Sequence, residues 1–331
     1  MPARAGGLAH WVSEIEYRDR YTTSMKVALI FDKSCFHTTG VYIERAFSQL
    51  GVPYDHWWLR DAEHIPASYD VYLRIDQGDS YSISLPTRLC PVVFYAIDTH
   101  LPSCWKQIRR LARAADVVLC VHRDGASLLP GARWLPVACD PQLHSAPNEP
   151  MKWDLAFVGH DGGLPRKLYL QALRERYPHS YLGTAAHTEL GKIYGRARIG
   201  FNYAIANDVN MRVFEVLAAG TLLLTNQLPH NDLERLGLVD GQHLVLYRSP
   251  EELFALIDHY LTHPTERCRI AEVGQRLVQA QHTYRHRAVD LLEHMATKLE
   301  LPELRVGESH AKQAGEGSGV LMPTALRIQD S

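Results

Sequence analysis

Short apolar runs bounded by polar turns, alternating with helix-length segments, restrict this chain's possible folds more than any other feature. Residues 92–97 and 117–121 are near-continuous apolar runs of strand length. A strand that reads this way is covered on both faces, as in a parallel sheet flanked by helices. Further strands are predicted at 27–31 and 71–75, with helices over 41–50 and 103–114. A polar, proline-bearing stretch over 142–152 interrupts the series. The pattern then restarts at 153–159, with strands predicted at 199–203, 222–225 and 243–247. Ser249-Pro250-Glu251-Glu252 is a capping box with proline at the first helical position, so a helix starts there. Repeated strand–helix alternation implies βαβ units and parallel sheets.

With 331 residues the chain is long enough for two cores. The expected division is an extension over 1–24, an N-terminal Rossmann-like domain over 25–141, a linker over 142–152 and a C-terminal Rossmann-like domain over 153–282. A helix over 283–300 packing back across the domains and a disordered tail over 301–331 complete it. Lys plus Arg total 35 and Asp plus Glu 37, a net charge of −2. That balance argues against a dedicated nucleic-acid binder. The six cysteines are scattered with no CxxC pair, which suits reduced cysteines in a cytoplasmic protein better than a disulfide frame or zinc site. No apolar run approaches the roughly 18 residues of a membrane span.

The most informative local pattern is Asn207-Asp208-Val209-Asn210-Met211-Arg212-Val213-Phe214-Glu215, closed by Gly220 and followed by an apolar strand. Polar caps at Asn207 and Asn210 open a short helix whose N-terminus can meet an anion at the edge of a parallel sheet. Arg212 and Glu215, three apart, lie on neighbouring positions of the helix surface. One can meet a phosphate while the other accepts hydrogen bonds from ribose hydroxyls. A helix N-terminus contributes only about 0.3–1 kcal/mol when exposed, whereas preorganised donors in a dry site are worth about 3–4 kcal/mol each in rate. A cation must therefore assist, and Arg212, Arg166 and Lys167 are the candidates.

Gly40 opens the first βα turn, where the backbone could approach a diphosphate. Asp98 and His100 follow an apolar strand at its carboxyl end, where open α/β sheets place reactive groups, and are the candidates for acceptor deprotonation or orientation. Asp76 and Asp79 occupy a similar strand end. His282 and His286 stand at i, i+4, a spacing that can bind zinc, but no third ligand is identifiable, and no metal site is expected.

Residues 212–220, then 244–253 (Leu-Val-Leu-Tyr-Arg-Ser-Pro-Glu-Glu-Leu) and His282-Thr283-Tyr284-Arg285-His286-Arg287, with Tyr95–His100 and Cys139-Asp140-Pro141 in the first half, carry a family resemblance. Over roughly residues 25–295 the chain resembles the spore-maturation CgeB-type glycosyltransferases, a branch of the glycosyltransferase group 1 superfamily. The resemblance implies a GT-B fold, two Rossmann-like parallel-sheet domains facing a cleft, with an acceptor-binding N-terminal domain and a donor-binding C-terminal domain. It implies a nucleotide sugar as co-substrate, a UDP-sugar first, with no other cofactor, an unidentified acceptor, and transfer that is metal-independent and retains anomeric configuration. Glu215 matches the second Glu of the superfamily's Glu-x7-Glu motif, and Asn207 stands where the first would be. Gly159-His160-Asp161-Gly162-Gly163 leading to Arg166-Lys167 matches, at looser spacing, the Arg and Lys that follow the first donor-domain strand. Two other readings remain open: a nucleotide-sugar epimerase or hydrolase, and a catalytically degenerate scaffold or surface-layer assembly protein.

Overall fold

A computed structural model of the chain describes residues 25–34, 38–76, 78–146 and 149–301. The expected extension over 1–24 and the tail from 302 onward lie outside the described residues, as does the side chain of Asp79.

The first half is built from β1 (Val27–Ile30), α1 (Thr39–Leu50), β2 (Tyr54–Trp57), β3 (Val71–Asp76), β4 (Val92–Ala96), α2 (Trp105–Ala114), β5 (Val117–Cys120), α3 (Arg123–Leu128), β6 (Arg133–Trp134) and α4 (Pro141–His144). The second half contains β7 (Trp153–Val158), α5 (Arg166–Arg176), β8 (Tyr181–Gly183), α6 (Leu190–Gly195), β9 (Ala197–Asn202), α7 (Met211–Ala218), β10 (Leu222–Asn226) and α8 (Asp232–Arg235). It ends with β11 (Val245–Tyr247), α9 (Pro250–Thr262), α10 (Pro264–Gln281) and α11 (Tyr284–Lys298). The local signals act as chemistry requires. Thr38 Oγ1 accepts from Val41 N at 3.3 Å to start α1, and Ser249 Oγ accepts from Glu252 N at 3.1 Å to start α9.

Every strand pairs in parallel. The sheet orders are β2-β1-β3-β4-β5-β6 and β8-β7-β9-β10-β11. Both therefore reverse direction once, between β1 and β3 in the first sheet and between β7 and β9 in the second. A crevice opens at such a reversal at the carboxyl ends of the strands, because the connections on either side leave in opposite directions. The central strands β1, β5 and β10 are buried throughout, as their apolar sequences require, and so is the edge strand β11.

The two halves share one apolar core. Val27, Tyr42 and Tyr95 of the first half and Phe214, Leu223 and Leu291 of the second belong to a single buried cluster. Tyr42 of α1 stacks on Tyr284 of α11 with centroids 4.6 Å apart and planes 6° from parallel. Cys139 and the start of α11 exchange backbone hydrogen bonds, Cys139 N to His282 O at 3.1 Å and Tyr284 N to Cys139 O at 2.8 Å. Buried Arg287 donates to the carbonyls of Pro136 and Val137 at 2.8 and 3.4 Å. The stretch read as a linker over 142–152 thus opens inside a helix, α4, whose His144 is buried. A Cβ on Gly191 of α6 would stand 2.6 Å from the Ser145 carbonyl, so α6 packs directly against that segment.

Tyr284→Ala is expected to remove this cross-domain stack and destabilise the protein by about 3–4 kcal/mol, as for other large-to-small core changes. Chemical denaturation measures it.

Candidate functional site

Arg212, on the first turn of α7, reaches the reversal point of the second sheet. Its Nε and Nη2 donate to the Val158 carbonyl at 3.2 and 2.9 Å, and Nη1 donates to Asn202 Oδ1 at 2.9 Å. Val158 ends β7 and Asn202 ends β9, so one guanidinium spans the two strands between which the sheet reverses. Arg166, at the start of α5, donates to the carbonyls of Asp161, His160 and Tyr203 at 2.9, 3.0 and 3.2 Å. The Phe157 ring has both guanidiniums near it, Arg212 at 4.2 Å and Arg166 at 5.5 Å from the centroid. Burial, followed by the Arg212 charge, lowers the pKa of Arg166. Among the described residues neither guanidinium forms a salt bridge, and their hydrogen-bond acceptors are neutral oxygens. Two half-buried cations on one aromatic ring, hydrogen-bonded to neutral groups, favour an incoming anion.

They border a cavity of about 530 Å³ lined by Val158, Gly159, His160, Arg166, Thr184 to His187, Leu190, Asn210, Met211, Arg212 and Glu215. Gly159 has φ 143°, and a Cβ there would stand 2.5 Å from Arg212 Nη2. Glycine is what lets the guanidinium lie against the end of β7. Glu215, one turn after Arg212, is 9% exposed, and among the described residues its carboxylate has no hydrogen-bond partner. Burial pushes its pKa up to about 7, with Arg212 pulling in the opposite direction. A buried carboxylate without donors, facing a cavity, is built to receive hydroxyl donors from a ligand. At the helix N-terminus, Asn210 Nδ2 donates to Asn202 Oδ1 at 3.3 Å, while its own buried Oδ1 lacks a partner.

A second cavity of about 140 Å³ lies between the halves, lined by Thr99, His100, His122, Trp134, Asn207, Asp208 and their neighbours. His100 keeps a solvent-exposed edge, but partial desolvation, then the neighbouring His122, push its pKa down. Asp98 follows β4, its backbone N–H donating to the Tyr81 hydroxyl at 2.9 Å; its charge helps raise the pKa of Asp76, where burial is the largest cause.

The residues singled out from sequence thus divide. Arg212, Glu215, Arg166, Asn210 and Gly159 converge on the large cavity. His100 and Asn207 line the second one, and Asn207, with φ 55°, shapes the loop ahead of α7 instead of facing Glu215's cavity. Lys167 is exposed and outside both cavities. Gly40 is held by packing, since a Cβ there would meet the Phe31 ring at 2.3 Å, and it borders a small crevice with Asp76 at the first sheet's reversal. His282 and His286 act locally: His282 Nε2 meets the Leu236 carbonyl at 2.8 Å, and His286 completes the Thr283 capping box. Sequence reasoning passed over His160, His187 and Leu190, which line the large cavity, because they follow no spacing rule. Among the described residues no cluster of three or more His, Cys, Asp or Glu is placed to hold a metal ion, and no helix is long and apolar enough to cross a membrane.

Two parallel-sheet domains with a cavity at the carboxyl ends of the second sheet constitute the GT-B glycosyltransferase architecture, and the solved structures agree. HepE of Anabaena, solved with UDP and glucose, superposes with a TM-score of 0.64 at 11% identity, over 82% of this chain and 100% of that one. Sucrose-phosphate synthase of Thermosynechococcus elongatus gives 0.60 at 11% identity, over 83% and 99%. An α-glucosyltransferase solved with UDP-glucose and abasic-site DNA gives 0.59 at 9%, over 82% and 99%. Residues 143–293, which hold the whole large cavity, match a family described as glycosyl transferase-like. No curated protein matches the chain.

Two outcomes are expected. Gly159→Ala forces the Arg212 guanidinium off the end of β7 and lowers the melting temperature, measured by thermal denaturation. A carboxyl whose pKa is raised on folding costs stability as pH rises from its unfolded value through its folded one. For Glu215 that window runs from 4.5 to about 7, and the cost above it is on the order of 3 kcal/mol. Glu215→Gln should therefore raise the melting temperature of the protein at pH 8 and leave it unchanged at pH 4.

Proposed function

We propose that this protein is a hexosyltransferase that moves a sugar from a nucleotide-sugar donor, a UDP-sugar first, to an acceptor hydroxyl. The observation that carries the reading is the pair of guanidiniums on Phe157, neither in a salt bridge among the described residues, beside the Glu215 carboxylate, all in one cavity at a sheet reversal. Arg166, Arg212 and the α7 N-terminus hold the diphosphate, and Glu215 accepts hydrogen bonds from the ribose. As the bond between the anomeric carbon and the diphosphate oxygen breaks, negative charge grows where the two guanidiniums already point. The acceptor oxygen bonds to the anomeric carbon, and its proton leaves to the departing diphosphate. Two fixed cations supply the charge that a divalent ion would otherwise bring, so transfer is metal-independent. UDP and UDP-glucose in the complexes of HepE and the α-glucosyltransferase support uridine as the base. Asp98 and His100 orient the acceptor from the N-terminal domain. The free cysteines support a cytoplasmic enzyme.

A thermal-shift and turnover screen against UDP-, GDP-, dTDP- and CMP-sugars, with EDTA and with Mg²⁺, tests the reading. Ligand at 100 times its dissociation constant adds about 2.7 kcal/mol of stability. Stabilisation by UDP compounds, indifferent to EDTA and weakened at least tenfold in Arg212→Ala, is the expected result. Donor consumed without acceptor, giving free or epimerised sugar, would favour a hydrolase or epimerase. No shift with any nucleotide would favour a non-catalytic scaffold. Retention of anomeric configuration, read by NMR of the product, goes with little loss of rate in Asp98→Asn; an inverted product contradicts it.

A further inference from the structure

Three consecutive residues after β5 reach across the cleft to the second domain. His122 Nε2 meets Asp208 Oδ2 at 3.2 Å, Arg123 pairs with Asp232, and Asp124 lies 3.4 Å from His230. The contacts are unequal. The His122 and Asp208 side chains are 12% and 14% exposed, whereas Asp124 and His230 are 65% and 48% exposed and screened by water. On its other edge His122 Nδ1 meets Thr99 Oγ1 at 3.0 Å. Gly125 is required for this arrangement, because a Cβ there would stand 2.3 Å from that hydroxyl. The imidazole is thus pinned on one side by its own domain and grips the other domain with its second nitrogen.

Asp208 lies two residues ahead of Asn210, on the loop that leads into α7. That loop is shaped by Asn207 in a left-handed conformation and anchored at Ala204, whose N–H donates to Asn226 Oδ1 at 2.7 Å. Its far end delivers Asn210 and Arg212 to the donor cavity. We propose that His122 is a positioning residue: by clasping Asp208 it holds the first domain closed on this loop, and with it the anion-binding end of α7. The proposal rests on the nucleotide-sugar reading of the α7 cavity.

The groups that face His122 are Asp208 from the second domain, His100 with its ring 4.7 Å away, Thr99, and Arg123 and Asp124 on its own turn. Asp232 lies beyond Arg123, and Asp98 acts on His100. Burial opposes ionisation of Asp208, yet the hydrogen bond and charge of His122, with His100 adding to them, outweigh it and hold its carboxyl below the usual range. Asp208 therefore presents a negatively charged acceptor to the imidazole.

Nitroxide labels on the exposed Cys90 and Cys268, one in each half, in a chain with Cys35 and Cys104 changed to serine, report domain separation by pulsed electron paramagnetic resonance. Calorimetry with UDP reports the α7 cavity. His122→Ala and Asp208→Asn should each broaden the distance distribution and weaken UDP binding about tenfold, with no further loss in the double variant. His122→Gln, which keeps a hydrogen bond, should recover most of the UDP affinity and the narrower distribution. Distances and UDP affinity that ignore all three substitutions overturn the proposal. Distances that respond as expected in a protein that binds no UDP support the clasp and overturn the donor reading.

Discussion

One guanidinium joins the two strands between which the second sheet reverses. Arg212 accounts for the glycine at 159, since any side chain there would occupy its place. It accounts for Asn202, whose Oδ1 accepts from Arg212 while its Nδ2 donates to Thr225 at 3.0 Å. It also accounts for the short helix that carries it, ended by Gly220 at φ 74°. Its acceptors are neutral, so the positive charge is retained for a ligand instead of being consumed by an internal carboxylate. The only acidic side chain lining the same cavity is Glu215, close enough to feel the charge but not paired with it. Leaving both groups unpaired costs the empty protein stability, and binding returns it. That is the arrangement expected of a site selected for its ligand.

The two domains are not independent bodies on a tether. A continuous apolar core, the Tyr42–Tyr284 stack and the backbone pairing of Cys139 with the start of α11 fix one side of the cleft. Across the opposite side run the polar contacts of His122, Arg123 and Asp124. Exposed polar pairs are worth less than a packed core, so the cleft has a firmly packed hinge side and a more weakly held edge, and that edge touches the loop into α7.

The central strands were legible in the sequence because each is covered on both faces and reads as an unbroken apolar run. The strands missed, β2, β6 and β8, are all edges of their sheets. Tyr54-Asp55-His56-Trp57 is half-buried along its whole length and carries no periodic signal. That several of these residues would share a cavity was legible for a related reason: in a parallel sheet, residues just past the strand ends gather at one place however far apart they lie in the chain. Arg212, Glu215, Gly159 and Arg166 all stand just beyond strand ends or at helix starts. Lys167 stands outside the cavity that Arg166 lines, because adjacent residues at a helix start point about 100° apart. His122 and Asp208, 86 positions apart, meet only through domain closure, which no local spacing encodes.

The central claim is that the cavity between Arg166 and Arg212 holds the diphosphate of a nucleotide sugar. A crystal structure of the protein with UDP tests it most directly. The account predicts phosphate oxygens within hydrogen-bonding distance of both guanidiniums and the α7 backbone, with ribose hydroxyls donating to Glu215. A diphosphate bound elsewhere, or one that leaves Arg212 on the Val158 carbonyl with no anion contact, would contradict it.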